Sequence, residues 1–327
     1  SGPAVSPSTG LWLAAPMRWM QRIVLAVLLI AALVTTAVSP ADAEAPAWSG
    51  LDATSFAGPI PPAGTTIASV PLDPALSLSG AGPAYRVLYS TTDQHDRPAV
   101  STGAVFLPPS PAPEGGFPVI AWAHGTVGLG DDCTPSAHPR TPRDDEYLSH
   151  WLDQGYTVVA SDYAGLGTPG LMSYLNSVTT AHAVVDSVIA AHDMSLPLSP
   201  KWAIVGQSQG GGAAVSSARW ATEFSRGTGL DYRGAVATGT PANIDKLVAQ
   251  AGPHLELPEL APIANAYTAY IVAALREARP DLDLNRVLSP AGVDAAALAE
   301  TLCAAELSDR LSHLTPASFF FAPLSSI

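Results

Sequence analysis

The chain has 327 residues, 47% hydrophobic and only 13% charged, enough apolar material for one large core with a subdomain or for two small domains. Its 15 basic and 28 acidic residues give a net charge of −13 with no Lys/Arg cluster, which excludes nucleic acid as a partner. The 31 prolines and 27 glycines imply many irregular connections, but apolar runs recur throughout and exclude a disordered chain.

The N-terminal region reads as an export signal. Met17 to Arg22 is short and positively charged, Ile23 to Val38 is apolar apart from two threonines, and Ala41-Asp42-Ala43 fits a signal-peptidase site. Residues 1–43 are therefore expected to be an upstream extension plus a signal peptide, with the mature chain starting near Glu44. A membrane anchor is the alternative, but the apolar run is shorter than the roughly 20 residues a spanning helix needs. Export in turn suggests a disulfide between the two cysteines, Cys133 and Cys303; two free buried thiols are the other reading. Neither cysteine has metal-ligand spacing, and no metal is expected.

Residues 44–83 are rich in Pro, Ala, Ser and Gly and predict an arm lying over the domain. Tyr85–Ser90 and Ala99–Leu107 predict two strands joined by a turn. Val119–Ala123 is a continuous apolar strand of the kind covered on both faces, ending at His124-Gly125-Thr126. A helix is expected over Asp144–Gln154, a buried strand over Tyr156–Ala160, and a helix over Thr179–Met194. Strands then alternate with helices, so residues 84–240 predict an α/β core with a mostly parallel sheet covered on both sides. Past Gly239 the alternation stops. Thr240 as N-cap and Pro241 at the first position predict a helix over Ala242–Gln250. Residues 241–316 read as a helical cap over the site, and Ser318–Ala322, within residues 317–327, as a further core strand.

The chemistry centres on Gly206-Gln207-Ser208-Gln209-Gly210. An apolar run, Trp202–Val205, leads in, and a small-residue helix beginning at Gly210 leads out. Gly-x-Ser-x-Gly arises by chance in about one chain in ten of this length. The strand before it and the helix after it are what point to a nucleophile elbow, with the serine at the apex of a strained turn. Gly206 and Gly210 meet the demand that no side chain crowd the bend. The Gln209 N–H and the helix N-terminus then face the oxyanion, and Thr126 supplies a second N–H, with Gly125 as the alternative donor.

A serine nucleophile needs a histidine base and an orienting acid, in the order Ser, Asp or Glu, His. His254 reads as structural, and His313 as the C-terminal residue of a helix, leaving it a poor in-chain candidate. Asp281, Asp283 and Asp294 lie in cap-like surroundings. His124 and Asp162 precede the serine and read as loop-shaping. The triad acid and base are expected beyond Ile327.

These residues together resemble a family. Trp122–Thr126, Asp162–Gly167, Gly206–Gly211 and Gly239–Asn243 are similar to the corresponding segments of secretory lipases related to Candida antarctica lipase A, including their actinobacterial members. The resemblance runs from about residue 84 to 315. It implies an α/β-hydrolase fold, a helical lid after the sixth core strand, and hydrolysis of a lipid or acyl ester without a cofactor. It also places the catalytic serine on Ser208. The expected protein is thus a secreted lipase or esterase with no membrane span after signal cleavage. An exported serine peptidase or acyltransferase, or a truncated hydrolase that only binds acyl ligands, are the alternatives.

Overall fold

The computed structural model describes residues 48–255 and 262–327. The expected signal peptide and its cleavage site lie outside the described residues. Among the described residues no helix is long and apolar enough to cross a membrane.

In chain order the elements are β1 (Thr66–Pro71), β2 (Ala84–Thr92), β3 (Pro98–Phe106), β4 (Phe117–Ala123), α1 (Pro142–Asp153), β5 (Thr157–Ser161), α2 (Ser177–Asp193), β6 (Leu198–Gln207), α3 (Gln209–Phe224), β7 (Asp231–Thr238), α4 (Ile244–Ala249), α5 (Ile263–Ala278), α6 (Pro290–Ala299) and α7 (Ala304–Arg310). The strands form one sheet in the order β1-β2-β3-β5-β4-β6-β7. β1 to β3 and the β3–β5 pair are antiparallel, while β5, β4, β6 and β7 run parallel.

This order decides where a ligand can sit. From β4 the chain crosses to β5 on one side, then returns to β6 on the other. Such a reversal opens a crevice at the carboxyl ends of the two strands that flank it. Here those ends are His124-Gly125-Thr126, after β4, and Ser208, after β6.

Both faces of the sheet are covered, as the unbroken apolar runs predict. Val119, Ala121, Ile204 and Trp202 pack into the layer formed by α2 and α3. Ile120, Trp122 and Val158 face α1 through Leu148 and Leu152. Helix α1 is set by local chemistry: Pro142 sits in its first turn and the Thr141 hydroxyl accepts from the Asp144 N–H.

Within the arm, Thr66–Pro71 adds β1 to the edge of the sheet, where a proline is tolerated. Two expectations are corrected. The helix after β7 starts at Ile244, not Ala242. Thr240 does not cap it, because the chain first runs across Gly211 and Gly212 of α3 and turns only at Asn243, whose φ is 55°. Ser318–Ala322 is not a strand. Thr315, Pro316 and Ser318 instead build one 3-10 turn over Pro316–Phe319, and Phe320 makes an isolated bridge to Leu288 inside the cap.

The cap is fastened to the core at one corner by the Cys133–Cys303 disulfide, whose Cα atoms lie 5.4 Å apart. Beside it the Ala304 N–H donates to the Val127 carbonyl at 2.8 Å, and a Cβ on Gly130 would sit 2.1 Å from the Thr301 carbonyl oxygen. The cysteines are 170 residues apart, so their link removes much of the unfolded chain's freedom. Replacing both by alanine is expected to lower stability by roughly 5 kcal/mol on the chain-entropy account. Thermal melts of the parent and the double variant check this, and equal midpoints would refute it.

A buried carboxyl links α2 to the sheet. Asp186 accepts a hydrogen bond from the Thr91 hydroxyl at 2.8 Å, and burial pushes its pKa up to about 7. The folded chain therefore binds a proton that the unfolded chain releases at ordinary carboxylate pH. That contribution to stability is complete below about pH 4 and is lost as pH rises through 7. Asp186→Asn keeps the acceptor for Thr91 and removes the titration. Relative to the parent it is expected to gain up to about 4 kcal/mol on passing from pH 4 to pH 8. Urea unfolding at the two pH values reads this; a constant difference would count against it.

Candidate active site

Ser208 sits between β6 and α3 with φ 56° and ψ −122°, outside the region an L-residue ordinarily adopts. Two backbone bonds fix it: its N–H donates to the Thr238 carbonyl at 2.9 Å, and its own carbonyl accepts from the Gly212 N–H at 3.1 Å. The glycines flanking it are required by space. A Cβ on Gly206 would lie 1.9 Å from the Gly210 carbonyl oxygen, and one on Gly210 would lie 1.9 Å from that of Ala123. The bend is thus pressed against the end of β4.

That contact brings the second loop in. A Cβ on Gly125 would sit 3.4 Å from the Gln207 carbonyl oxygen and 3.7 Å from Ser208 Cβ. His124 is buried and packs tilted against Tyr163 with ring centroids 4.3 Å apart, and burial pushes its pKa down. Its Nδ1 lies 2.7 Å from the Gly125 carbonyl and its Nε2 3.3 Å from that of Asp162. A neutral imidazole donates through one nitrogen only, and the shorter contact takes the proton. The Gly125 carbonyl is then held toward His124. Because the peptide is planar and trans, the Thr126 N–H points the opposite way. The Thr126 hydroxyl is bonded to the Tyr174 hydroxyl at 2.7 Å, and Tyr174 packs on Tyr270 of the cap, with centroids 5.7 Å apart.

Asp162 holds the base of this loop. Its buried carboxylate accepts from the Thr102 hydroxyl at 2.7 Å, from the Ser136 N–H at 2.9 Å and from the Ser136 hydroxyl. Arg86 reaches the same cluster through Ser136 and Thr102. His124 and Asp162 therefore face their own loops rather than the serine.

Gln209 opens α3, and a first-position N–H has no acceptor within its helix. Its side chain is only 4% exposed, with Nε2 3.9 Å from Met172 Sδ and no partner for Oε1 among the described residues. The sequence pointed to its backbone, but nothing there marked the side chain or Tyr174, whose roles arise from packing. Among the described residues no histidine or carboxylate is hydrogen-bonded to the Ser208 hydroxyl; His254 and His313 are exposed.

The tight packing at the bend has a direct consequence. Gly210→Ala places a methyl group on the Ala123 carbonyl. It is expected to cost more than the 1–3 kcal/mol typical of overpacking, because the obstacle is backbone. Soluble yield and near-ultraviolet circular dichroism check it; a native spectrum with unchanged stability would show that the approach is looser.

Residues 138–301, half of the chain, match the Secretory lipase family. A secreted triacylglycerol lipase, LIP5, of Malassezia globosa is 27% identical over 183 residues, covering 52% of this chain and 36% of that protein. Candida antarctica lipase A in its closed state superposes with a TM-score of 0.62 at 19% identity, covering 79% of this chain and 60% of that one. The rice cell wall degrading esterase LipA from Xanthomonas oryzae gives 0.64 at 20% identity, covering 80% and 73%. The chain therefore spans little more than a third of the Malassezia protein and three-fifths of the Candida enzyme. The sheet, its elbow and its cap are those of an α/β hydrolase, and the matched half places this chain in the secretory lipase family.

Proposed function

We propose that the protein is a secreted carboxylic-ester hydrolase, a lipase or esterase that works through an acyl-serine. The observation that carries this is the strained Ser208, held at φ 56° where β6 meets α3 and pressed against the loop after β4. Backbone strain of this kind costs about 1–3 kcal/mol and persists where the surroundings over-determine it, which happens chiefly at functional sites.

The Ser208 oxygen attacks the acyl carbonyl carbon. The hydroxyl proton passes to a general base, which the described residues do not place beside Ser208. The carbonyl oxygen becomes an oxyanion and is met by the N–H groups of Gln209 and Thr126, the latter turned outward by the His124 bond to Gly125. The tetrahedral species collapses, the alcohol leaves with a proton, and water releases the acid in a second cycle. Secretion accords with the expected signal peptide and with the Cys133–Cys303 bridge. A lipid substrate accords with the Leu, Ile and Tyr residues on the cap helices α4 and α5.

Labelling with a fluorophosphonate probe, read by intact mass, tests the nucleophile. The parent is expected to take one label on Ser208, and Ser208→Ala none. Hydrolysis of p-nitrophenyl butyrate and palmitate is expected to fall by about a thousandfold or more in the alanine variant. Cleavage of acetate alone would count against a lipase. Faster cleavage of the matching amides would favour a peptidase. Fatty-acid binding without label or turnover would leave an acyl-binding protein.

A further inference from the structure

One short segment touches both residues proposed to meet the oxyanion. Met172 Sδ lies 3.9 Å from Gln209 Nε2, and the Tyr174 hydroxyl lies 2.7 Å from that of Thr126. The segment is fixed at both ends. A Cβ on Gly165 would sit 2.6 Å from Met172 N, so the chain is pressed there against main chain. At the other end Leu175 takes a φ of 62°, and Asn176 caps α2 with its Oδ1 accepting from the Val178 and Thr179 N–H groups. Tyr270 of the cap packs on the Tyr174 ring with centroids 5.7 Å apart. Its own hydroxyl donates to the Leu302 carbonyl at 2.9 Å, beside the bridged Cys303.

We infer that Tyr174 is a positioning residue for the oxyanion, its hydroxyl holding Thr126 so that the Thr126 N–H keeps its aim. The inference rests on the proposed acyl-serine reading, in which Thr126 is a donor, and names the residue that sets that donor. The loop lies beside the nucleophile, since a Cβ on Gly125 would come within 3.7 Å of Ser208 Cβ. His124 holds the Gly125–Thr126 peptide at its oxygen. A peptide is planar, but a plane held at one point still rocks about the soft torsions on either side of it. Hydrogen bonds weaken steeply as their angle closes, so an N–H that rocks is a poor oxyanion donor. Tyr174 supplies a second hold, at the Thr126 end of the plane. Threonine transmits it well, because a β-branched side chain is stiff at its first torsion and its hydroxyl is tied closely to its Cα. Among the described residues Thr126 is the hydrogen-bond partner of the Tyr174 hydroxyl. Burial pushes the phenol's pKa well up, so it stays neutral and keeps that bond in mildly alkaline solution.

The test is binding of butyrate to the full chain carrying Ser208→Ala, followed by ligand-observed NMR titration. The carboxylate stands in for the oxyanion and accepts from the same N–H groups, while 1-butanol carries a similar apolar tail without the charge. Tyr174→Phe removes one oxygen and keeps the ring against Tyr270. It is expected to weaken butyrate about tenfold, 1.4 kcal/mol, and to leave butanol unchanged. Thr126→Val removes the same bond from its other end and is expected to match that loss. Combining the two is expected to add little, as for residues that act through one contact. Thr126→Ser keeps the hydroxyl and is expected to retain most of the affinity. A tyrosine that only filled space would change both ligands or neither. Should the phenylalanine variant misfold, the valine variant reads the same bond. Unchanged butyrate affinity in a folded variant, equal weakening of butanol, or butyrate that does not bind the Ser208→Ala chain overturns the inference. Fluorophosphonate labelling of the chain with Ser208 intact reads the nucleophile separately. Label without an effect of Tyr174→Phe ends this inference alone, and the effect without label ends the acyl-serine reading alone.

Discussion

The contact of three backbones at the elbow governs this molecule. Gly206, Gly210 and the Ala123–His124 link approach so closely that a single added carbon on either glycine would overlap a carbonyl oxygen. No side-chain rearrangement relieves such an overlap, because the obstacles are main chain. The approach fixes the end of β6, the start of α3 and the end of β4 relative to one another. The groups proposed for the chemistry are set from those three points. Ser208 takes its left-handed conformation there, and the α3 N-terminus aims its unpaired N–H groups at the same spot.

The cap is joined to this arrangement through the loop that follows β4. Val127, Gly128, Gly130 and Cys133 all touch the Thr301–Ala304 stretch by a hydrogen bond, a bridge, a close approach or the disulfide. Tyr174 spans the same gap, bonded to Thr126 and packed on Tyr270. Thr126, proposed as the second oxyanion donor, is therefore held from below by His124 and from above by the cap. A cap attached at this corner keeps the Thr126 peptide fixed however its other edge behaves.

Much of this was legible in the amino-acid order, for physical reasons that can be named. The parallel strands β4, β5 and β6 are buried on both faces, so their apolar runs are unbroken. Gly-x-Ser-x-Gly was legible because the elbow forbids a Cβ at two fixed positions. The Cys133–Cys303 pair was legible because the chain has only two cysteines. What was not legible depends on distant contacts. β1 is a half-buried edge strand whose pattern is too short to stand out until β2 is beside it. Asn243 turns the chain only because Thr240 and Pro241 are drawn across α3 first. Phe319 and Phe320 look like strand residues, yet Pro316 and the Thr315–Ser318 cap commit them to a turn buried against α6. The Gln209 side chain is the sharpest case, since its residue was singled out for its backbone alone.

The charges beneath the β4 loop explain why it can be rigid without being apolar. Asp162 is fully buried, and an unpaired carboxylate there would be untenable. It is met by two hydroxyls and an amide, with the guanidinium groups of Arg86 and Arg140 close enough to raise one another's cost and offset its charge. Burial pushes both arginines below their usual range while Asp162 pulls them back, so cation and anion sustain each other. Removing one partner would leave the others charged in a dry interior, a penalty of several kcal/mol. Ser136 ties this cluster to the segment after Cys133, and Asp162 ties it to the end of β5. A loop anchored by several buried hydrogen bonds in this way is held in one orientation, which is what the proposed pair of oxyanion N–H groups requires.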